Sequence, residues 1–510
     1  MANSWKYDRA KDYIDKKIGE VEEVTIADYK RDTSLERIPT NKAYRMDAVH
    51  LYVDILNLDG ILGTTAAEGT QCHKRALRFL NQHYRAVHRI LQRCDAIKVD
   101  FHNQRLHAVI AKPYGGDCEV DRVDKAVAIG QLIIDVLEET GDEDENIPNA
   151  DIRIGIDTGR ALVVNNGRSG NREPLFLGSP ANRAAKLASN GSGLGIYLTD
   201  DARATIGLTR VGSSKTYTTP LTESEIDDSE NAASLDVTKD TIVREWREDL
   251  EKNPIGAFSF TRSTPPLRKL DISVLTPGSS RRMETVSVYA DIDNFTRYVD
   301  DHMDDDPQDV VRCLHVIRSE LDRVLSSDFG GRRIRFIGDC VHGHILEGTA
   351  YETDAEETVS TGALCSGGLR SSFNLALERL KDNGIDIAGL GLAIGFEFGP
   401  TSITRLGIQG SRVRCSVGRT VLAAEAEQSR CNGRQTAIGE EAYEAGNDAV
   451  RKLFGADRRK SDLDYDDVLD ALAADNDKVA KAARAAAYAV TSPSIAQAAE
   501  TPFRPYSRSR

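Results

Sequence analysis

The alternation of apolar and polar residues predicts two strands that both end in an aspartate. The first strand ends at Asp54 and the second at Asp291. A polar turn and a long helix-like pattern follow each strand, over 70–94 in the first case and 295–325 in the second. A predicted hairpin then follows each helix. The chain therefore predicts a mixed α/β fold in which one structural unit occurs twice.

The spacing of later landmarks indicates an internal duplication. A hairpin turn, an Ile-Gly strand and a hydrophobic-Gly pair follow each aspartate in the same order. Their intervals agree to within about three residues over more than about a hundred positions. The landmarks are Asp54, Gln104, Gly155 and Gly178 in the first copy, and Asp291, Asp339, Gly395 and Gly418 in the second.

The duplication suggests a division of the chain into five parts. We expect an N-terminal arm over 1–45, a first domain over 46–220, an acidic linker over 221–279, a second domain over 280–445, and an Ala-rich helical extension with a basic tail over 446–510.

Composition and charge narrow the classes of function. The chain has 510 residues, of which 40% are hydrophobic, enough for two or three domains with their own cores. A net charge of −14 argues against a nucleic-acid-binding surface. No apolar run is long enough to cross a membrane and no leader is evident, so we expect a cytoplasmic protein. The eight cysteines lack metal-ligand spacing, which argues against a zinc site.

Asp291 and Asp339 are the candidate metal ligands. The predicted strand, helix and hairpin bring these two carboxylates to one edge of a sheet. They would repel each other unless a cation lay between them, and Mg²⁺ or Mn²⁺ suits carboxylates that must also hold a polyphosphate. The alternative is that each aspartate only ends a strand or forms a turn.

Four motifs resemble the class III nucleotidyl cyclase domain. They are Tyr-Ala-Asp291-Ile-x-x-Phe-Thr, Ile337-Gly-Asp339, Ile-Gly-x-x-x-Gly, and Gly178-x-x-x-Asn182-x-Ala. The resemblance covers about 46–220 and 280–445. It implies two ferredoxin-like α/β (α+β) domains with antiparallel sheets, packed head to tail as a pseudo-dimer within one chain. A higher oligomer is compatible with this arrangement.

The two copies have lost complementary parts of the family's site. The second copy keeps Asp291 and Asp339, and the resemblance adds Ile292 to these metal-binding positions. It has Leu422 and Ala426 where the family has a catalytic Asn and Arg. The first copy keeps that Asn as Asn182 and has Lys186 at the Arg position, but Gln104 replaces the second metal ligand. Together the copies make one complete site.

The resemblance implies that the chain cyclises a nucleoside triphosphate with two Mg²⁺ or Mn²⁺ ions. Asn182 would orient the ribose, Lys186 would stabilise the transition state, and Lys215 would meet the terminal phosphates. The other cleft, formed by Asp54 and Gln104 against the second copy, would bind a regulator or be packed shut.

Base recognition departs most from the family pattern. Asp100 and Leu175 occupy the two positions that normally read a purine, and they match neither the adenine pair nor the guanine pair. A slip in the hairpin register would make Lys98 the first of these positions. This favours a cyclic pyrimidine nucleotide, cUMP or cCMP, resembling the products of phage-defence cyclases that a separate effector protein reads.

Three other functions stay open at this point. The chain could be an adenylate or guanylate cyclase with an unusual base pocket. It could be an inactive tandem that binds nucleotide as a sensor or scaffold, as Lys186, Leu422 and Ala426 suggest. A polymerase-like palm domain would also carry paired aspartates, but it would not explain the duplicated Gly-x-x-x-Asn segment.

Overall fold

The computed structural model describes residues 4–31, 33–142, 146–166 and 174–491, so the predicted basic tail lies outside the described residues. The helices are α1 (Tyr7–Glu20), α2 (Leu58–Leu62), α3 (Thr65–Glu68), α4 (Thr70–Arg93), α5 (Glu119–Leu137), α6 (Ser179–Ser189), α7 (Asp200–Thr205), α8 (Glu223–Ala233), α9 (Lys239–Lys252), α10 (Phe295–His302), α11 (Pro307–Arg323), α12 (Ala355–Asp382), α13 (Arg419–Ser429), α14 (Glu440–Ala445), α15 (Asp448–Phe454), α16 (Tyr465–Ala474) and α17 (Lys478–Thr491).

The strands form two sheets. They are β1 (Thr25–Asp28), β2 (Lys42–Ile55), β3 (Ile97–His102), β4 (Arg105–Ile110), β5 (Ile152–Asn165), β6 (Pro174–Leu177), β7 (Gly195–Leu198), β8 (Phe260–Thr261), β9 (Ser280–Asp293), β10 (Arg332–Ile337), β11 (Cys340–Ile345), β12 (Gly391–Leu406), β13 (Val413–Val417), β14 (Gln435–Ile438) and β15 (Arg459–Ser461).

The two sheets repeat one topology. The first has the order β3-β4-β2-β5-β6, and the second has β10-β11-β9-β12 in the equivalent places. The neighbours within β3-β4-β2-β5 and within β10-β11-β9-β12 are antiparallel, and β7 and β14 each lie parallel to the long strand beside them. The duplicated α/β fold expected from the sequence is confirmed.

The domains pack head to tail by exchanging apolar residues. Leu162 and Leu175, from β5 and β6 of the first domain, belong to the hydrophobic core of the second. Leu406 and Val417, from the equivalent β12 and β13, belong to the core of the first. This reciprocal exchange buries the β5–β6 and β12–β13 hairpins. It also places one cleft on either side of the pseudo-twofold axis that relates the two domains.

The prediction of one long helix over 295–325 is wrong in one respect. The structure has two helices, α10 and α11, with Pro307 as the first residue of α11. Proline lacks the N–H that a continuing helix needs, but it fits the first turn of a new one. The break lets α10 turn toward the first domain.

The segments outside the two copies are folded against them. Segment 221–279, expected as a linker, contains α8 and α9, and Trp246 on α9 donates from Nε1 to the carbonyl of Gln82 at 3.2 Å. At the N-terminus, β1 pairs with β2 of the first domain. Helix α1 packs on the second domain, where Arg9 pairs with Glu320 at 2.7 Å. Within the described residues, no helix has the length and apolar character needed to cross a membrane.

Candidate active site

A cleft of about 560 Å³ lies between the end of β9, helix α10 and helix α6, and we call it the Asp291 cleft. Asp291 lies near the end of β9, and Asp339 lies in the turn between β10 and β11. Because β11 pairs with β9, with Val341 opposite Ala290, this turn comes to rest beside Asp291. The lining residues include Ser179, Asn182, Arg183, Lys186, Asp291, Ile292, Thr296, Asp300 and Asp339.

The charged forms of the Asp291 and Asp339 carboxylates are disfavoured in this cleft. Burial raises the pKa of Asp291 to about 6, and the charges of Asp293 and Glu425 add to this effect. Burial and the charge of Asp291 raise the pKa of Asp339 well above its usual value, although the backbone N–H of Ile292 opposes that rise. A bound cation would relieve this repulsion.

The donor set suits a hard divalent cation shared with a ligand. Two carboxylates and the backbone carbonyl of Ile292 offer oxygen atoms, which Mg²⁺ and Mn²⁺ prefer. Asp293 also lines the cleft, and its Oδ2 accepts a hydrogen bond from the Gly433 N–H at 2.7 Å. Across residues 4–31, 33–142, 146–166 and 174–491, no group of three or more His, Cys, Asp or Glu could hold a metal ion.

Helix α6 supplies the opposite wall. Asn182 and Lys186 are four residues apart, so both face the cleft, while Ala184 and Leu187 are buried behind them. Asn182 donates from Nδ2 to Thr296 Oγ1 on α10 of the second domain. The structure thus brings together the five residues predicted at the catalytic and metal positions, Asn182, Lys186, Asp291, Ile292 and Asp339.

Arg183 is a cleft residue that the sequence motifs did not single out. Its Nε donates to Asp157 Oδ2 at 2.7 Å, and its Nη1 lies 3.2 Å from Asp201. These carboxylates hold a guanidinium next to Asn182 at the entrance of the cleft. A signal was present, because Arg183 directly follows the motif asparagine in Asn182-Arg-Ala-Ala.

Asp100 forms an ion pair with a residue of the other domain. Asp100 Oδ1 lies 2.6 Å from Nη2 of Arg335, whose side chain is only 1% exposed. The two residues are pseudo-symmetry equivalents, because Asp100 is paired with His107 in one hairpin and Arg335 with His342 in the other. In both hairpins the register shifts directly before these residues, between Lys98 and Asp100 in the first and between Arg333 and Arg335 in the second.

The other predicted substrate positions lie outside the Asp291 cleft. Leu175 is buried in the second domain's hydrophobic core. Lys215 is exposed in a turn, where its backbone N–H donates to the Gly212 carbonyl at 2.8 Å, and it is not a lining residue. Lys98 donates from Nζ to Ser411 Oγ at 3.0 Å in the second domain.

A second cleft, of about 870 Å³, lies at the equivalent place across the pseudo-twofold axis, and we call it the Arg105 cleft. Gln104, Leu422 and Ala426 line it, as the alignment of the copies requires. Arg105 lies between two carboxylates: it pairs with Glu425, and its Nε is 3.6 Å from Asp54 Oδ2. This cleft is open rather than packed shut, and it carries its own internal cation.

Comparison with known proteins agrees with this architecture. Residues 279–463 match the family model described as the adenylate and guanylate cyclase catalytic domain. A Pseudomonas aeruginosa protein named uridylate cyclase is 59% identical over 512 residues, covering 100% of this chain and 99% of that protein. A uridylate cyclase of a Rhizobium species is 40% identical over 433 residues, 82% of either protein.

A solved structure resembles nearly the whole chain. It is the crystal structure of a class III adenylyl cyclase-like ATP-binding protein from Pseudomonas aeruginosa, with a TM-score of 0.91 and 60% identity. The match covers 92% of this chain and 100% of that structure. The duplicated fold, the complementary half-sites and the full-length similarity lead to one conclusion: the chain belongs to the class III family of nucleotidyl cyclases.

Proposed function

We propose that the protein converts UTP into cyclic UMP and pyrophosphate, with CTP as the second pyrimidine substrate to be tested. Two relatives named uridylate cyclase support this proposal, one of them similar over its full length. The observation that carries it is the single complete set of half-sites in the Asp291 cleft. The reaction would take place in the cytosol.

Asp291, Asp339 and the backbone carbonyl of Ile292 are the residues that would hold two Mg²⁺ or Mn²⁺ ions. When bound, such ions favour deprotonation of the ribose 3′-hydroxyl and neutralise negative charge on the phosphates. Burial is the first cause of the raised pKa of both aspartates, and a bound cation stabilises the charged form of a buried carboxylate.

The chemistry is an intramolecular phosphoryl transfer. The 3′-oxygen attacks the α-phosphorus, a P–O bond forms, the bond to the β-phosphate oxygen breaks, and pyrophosphate leaves. The 3′-hydroxyl proton passes to solvent. Little covalent work falls to the protein, so its residues act by positioning and by charge.

Asn182 and Lys186 are the proposed catalytic residues. The Asn182 amide would give up its bond to Thr296 and hydrogen-bond the ribose, because both partners lie in the same cleft. Lys186 would place a positive charge at the α-phosphate as a point charge rather than a planar fork. Lys215 is the proposed contact to the terminal phosphates.

The base-reading positions support a pyrimidine. Leu175 offers no hydrogen bond, and the Asp100 carboxylate is bonded to Arg335. Neither residue therefore presents the polar pair that reads a purine edge. Asp100 would act indirectly, by holding the side chain of Arg335 in position. Leu175 would supply apolar surface.

The test is an assay with UTP, CTP, ATP and GTP in separate reactions with Mn²⁺, with products identified by mass spectrometry. We expect cyclic UMP as the main product. ATP belongs in the panel because a similar solved structure is described as an ATP-binding protein. Cyclic AMP alone would overturn the pyrimidine assignment, and no cyclic product from any triphosphate would favour the sensor or scaffold alternative.

We also propose that the cyclic nucleotide is a second messenger in anti-phage defence, read by a separate effector protein. The resemblance to phage-defence cyclases supports this role. Cells carrying the gene with its genomic neighbours should form fewer phage plaques than cells carrying an Asp339→Ala version. Equal plaque counts would contradict the proposal.

A further inference from the structure

A pocket of about 440 Å³ lies on the first domain, between the end of β1, strand β2, strand β5 and the start of helix α5, and we call it the Arg122 pocket. Small-molecule sites typically have volumes of about 300 to 1,000 Å³. Neither the Asp291 cleft nor the Arg105 cleft shares a lining residue with this pocket. Four arginines and two tyrosines line it, namely Arg31, Arg45, Arg122, Arg160, Tyr29 and Tyr114.

The Arg122 pocket concentrates positive charge in a chain of the opposite net charge. The protein carries a net charge of −14, whereas the lining of the pocket sets its four arginines against two aspartates, Asp28 and Asp47. Asp47 pairs with Arg160, whose Nε lies 3.3 Å from its Oδ1. The other three arginines therefore outnumber the one remaining carboxylate, and the pocket attracts anions.

Arg122 is the buried charged group of this pocket. The residue is 3% exposed, and its Nη1 donates to the main-chain carbonyls of Pro113 at 2.9 Å and Gly115 at 3.0 Å. In the part of the chain that the structure describes, its Nε has no hydrogen-bond partner and no carboxylate pairs with its guanidinium. Buried charges in proteins are normally paired, so a guanidinium that contacts only neutral carbonyls in a pocket wall favours an anionic ligand.

Arg45 is a second arginine of the pocket without a carboxylate partner. Among the described residues, its Nε is buried without a hydrogen-bond partner, and its Nη2 donates to the main-chain carbonyl of Asp304 at 3.3 Å. Asp304 belongs to the second domain and follows α10, and its Oδ1 lies 3.2 Å from Nη1 of Arg160. The pocket therefore adjoins the boundary between the two domains.

The chemistry of the lining suits a phosphate group attached to an organic molecule. Guanidinium groups form charge-assisted hydrogen bonds with phosphate oxygens, and one phosphate can accept from two arginines at once. The rings of Tyr29 and Tyr114 lie with their centres 6.0 Å apart and bring both hydroxyl groups and apolar surface. Inorganic phosphate would use the arginines alone, whereas an organic phosphate would also cover the rings.

We propose that the Arg122 pocket binds a small phosphate-bearing organic molecule, with the phosphate on Arg45 and Arg122 and the organic part against the two tyrosine rings. This site does not depend on the proposed function, because it uses none of the residues of the Asp291 cleft.

Isothermal titration calorimetry on the full chain tests the site, with inorganic phosphate, pyrophosphate and UMP as separate probes. EDTA is present, so that no divalent cation carries a phosphate into the Asp291 cleft. The variants are Arg45→Met and Arg122→Met, and Arg370→Met is the matched control. Arg370 is also 3% exposed and donates to two main-chain carbonyls, at 2.7 Å and 3.0 Å, but it does not line the pocket.

We expect the wild type to bind UMP at one site per chain, and more tightly than inorganic phosphate or pyrophosphate, because only UMP reaches the tyrosine rings. Arg45→Met and Arg122→Met should each weaken this binding about 10- to 100-fold, the range for a hydrogen bond from a charged group. Arg370→Met should keep the wild-type affinity. Thermal unfolding of each variant shows whether it is folded, and the half-buried Arg45 serves if Arg122→Met does not fold.

Three results would overturn the site. They are no saturable binding of any probe to the wild type, wild-type affinity in both Arg45→Met and Arg122→Met, and an equal loss in Arg370→Met. Equal affinity for all three probes would overturn the role of the tyrosine rings. Asp339→Ala, a change in the Asp291 cleft, should bind UMP as the wild type does, and a loss of binding there would place the ligand in that cleft instead.

Discussion

The Asp291 cleft and the Arg105 cleft are built from equivalent strands but differ in charge at two neighbouring positions of the hairpin turn. In the second copy the hairpin turn reads Asp339-Cys340, and in the first it reads Gln104-Arg105. Arg105 lies directly opposite Asp54 in the β2–β4 ladder and pairs with Glu425 across the domain boundary. Asp339 and Cys340 bring no positive charge to Asp291.

The difference shows how one of two equivalent clefts can gain an internal positive charge and still keep its volume. Two neighbouring differences in the hairpin turn, Gln104 in place of Asp339 and Arg105 in place of Cys340, remove one carboxylate and add a guanidinium. The Arg105 cleft keeps its volume, but its carboxylates already have a partner. A homodimer could not make this change at one site alone, because twofold symmetry would repeat it at the other.

The largest difference between the two clefts is expected when one of the proposed metal-binding carboxylates is removed. We expect Asp339→Ala to lower kcat about 10³-fold, because the transition state loses its charge neutralisation. Gln104→Ala, the equivalent change in the Arg105 cleft, should keep activity near that of the wild type. The measurement is cyclic nucleotide production at saturating substrate and Mn²⁺. Similar losses in both variants would mean that both clefts contribute to the reaction, and a loss in Gln104→Ala alone would mean that the proposed assignment of the clefts is reversed.

The Asp100–Arg335 ion pair on the pseudo-twofold axis tests how much a contact between the two domains contributes to stability. Arg335→Met should lower the free energy of unfolding by about 3 kcal/mol, because it leaves the Asp100 carboxylate without its cation. Asp100→Asn combined with Arg335→Met should recover part of this loss. Chemical denaturation of the wild type, both single variants and the double variant gives the coupling energy. Strictly additive effects would show that the pair contributes nothing.

Placing an arginine in the Asp291 cleft should make that cleft resemble the Arg105 cleft. Cys340→Arg places a guanidinium at the position equivalent to Arg105, beside Asp291. We expect a loss of activity of about 10²-fold, together with a weaker response to added Mn²⁺, since the carboxylate then has a partner. Cys340→Ser is the control for packing. Activity of Cys340→Arg at the level of Cys340→Ser would contradict the idea that the two clefts differ by their source of charge.

Lys186 lies on the opposite wall of the Asp291 cleft, and the equivalent residue in the Arg105 cleft is Ala426. Lys186→Ala should lower kcat up to about 10²-fold, and Lys186→Arg should keep most of the activity, because the role needs a positive charge. Initial rates at saturating substrate check this. A fully active Lys186→Ala enzyme would assign the role to another cation of the cleft, with Arg183 as the next candidate.

The smallest effect is expected in the Arg105 cleft itself. Burial raises the pKa of Asp54 to about 6, and Arg105 opposes that rise. Asp54 therefore keeps its proton to a higher pH in the folded state than in the unfolded state, and the folded state loses stability as pH rises through this range. Arg105→Met raises the folded pKa further and extends the loss to higher pH.

We expect the destabilisation by Arg105→Met to be larger at pH 7.5 than at pH 5, and about 1 kcal/mol at the higher pH, because the site is partly exposed. Thermal unfolding at both pH values checks this. Adding Glu425→Gln should remove part of the effect, because it removes one of the two carboxylates that Arg105 bridges. A destabilisation equal at both pH values would point to lost packing instead.

Sequence reasoning predicted the residues whose place depends on strand order. Asp291, Asp339 and Asn182 lie at ends and turns of regular elements, so the repeat spacing was sufficient to pair them. The break before Pro307 was missed because the helical periodicity of 295–325 continues across it. A helical period does not show where the helix axis changes direction.

The cavity of about 360 Å³ between α1, α11, the end of β5 and β10 could not be predicted for a different reason. Its walls come from α1, β5, α11 and β10, which are far apart in the sequence and meet only in the packed domains. An arginine on an amphipathic helix usually faces solvent, so nothing in the pattern around Arg318 indicates burial. The Asp100–Arg335 pair is hidden in the same way, since each residue alone looks like an ordinary strand charge.

Helix α1 has a consequence for how the chain is made. Trp5 donates to Ser372 at 2.7 Å, and Arg9 contacts Glu320, so the first turns of the chain bind partners separated from them by 367 and 311 residues. During synthesis, β1 can join its neighbour early, whereas α1 has no docking surface until most of the second domain has left the ribosome. Helix α1 is then among the last elements to reach its native position.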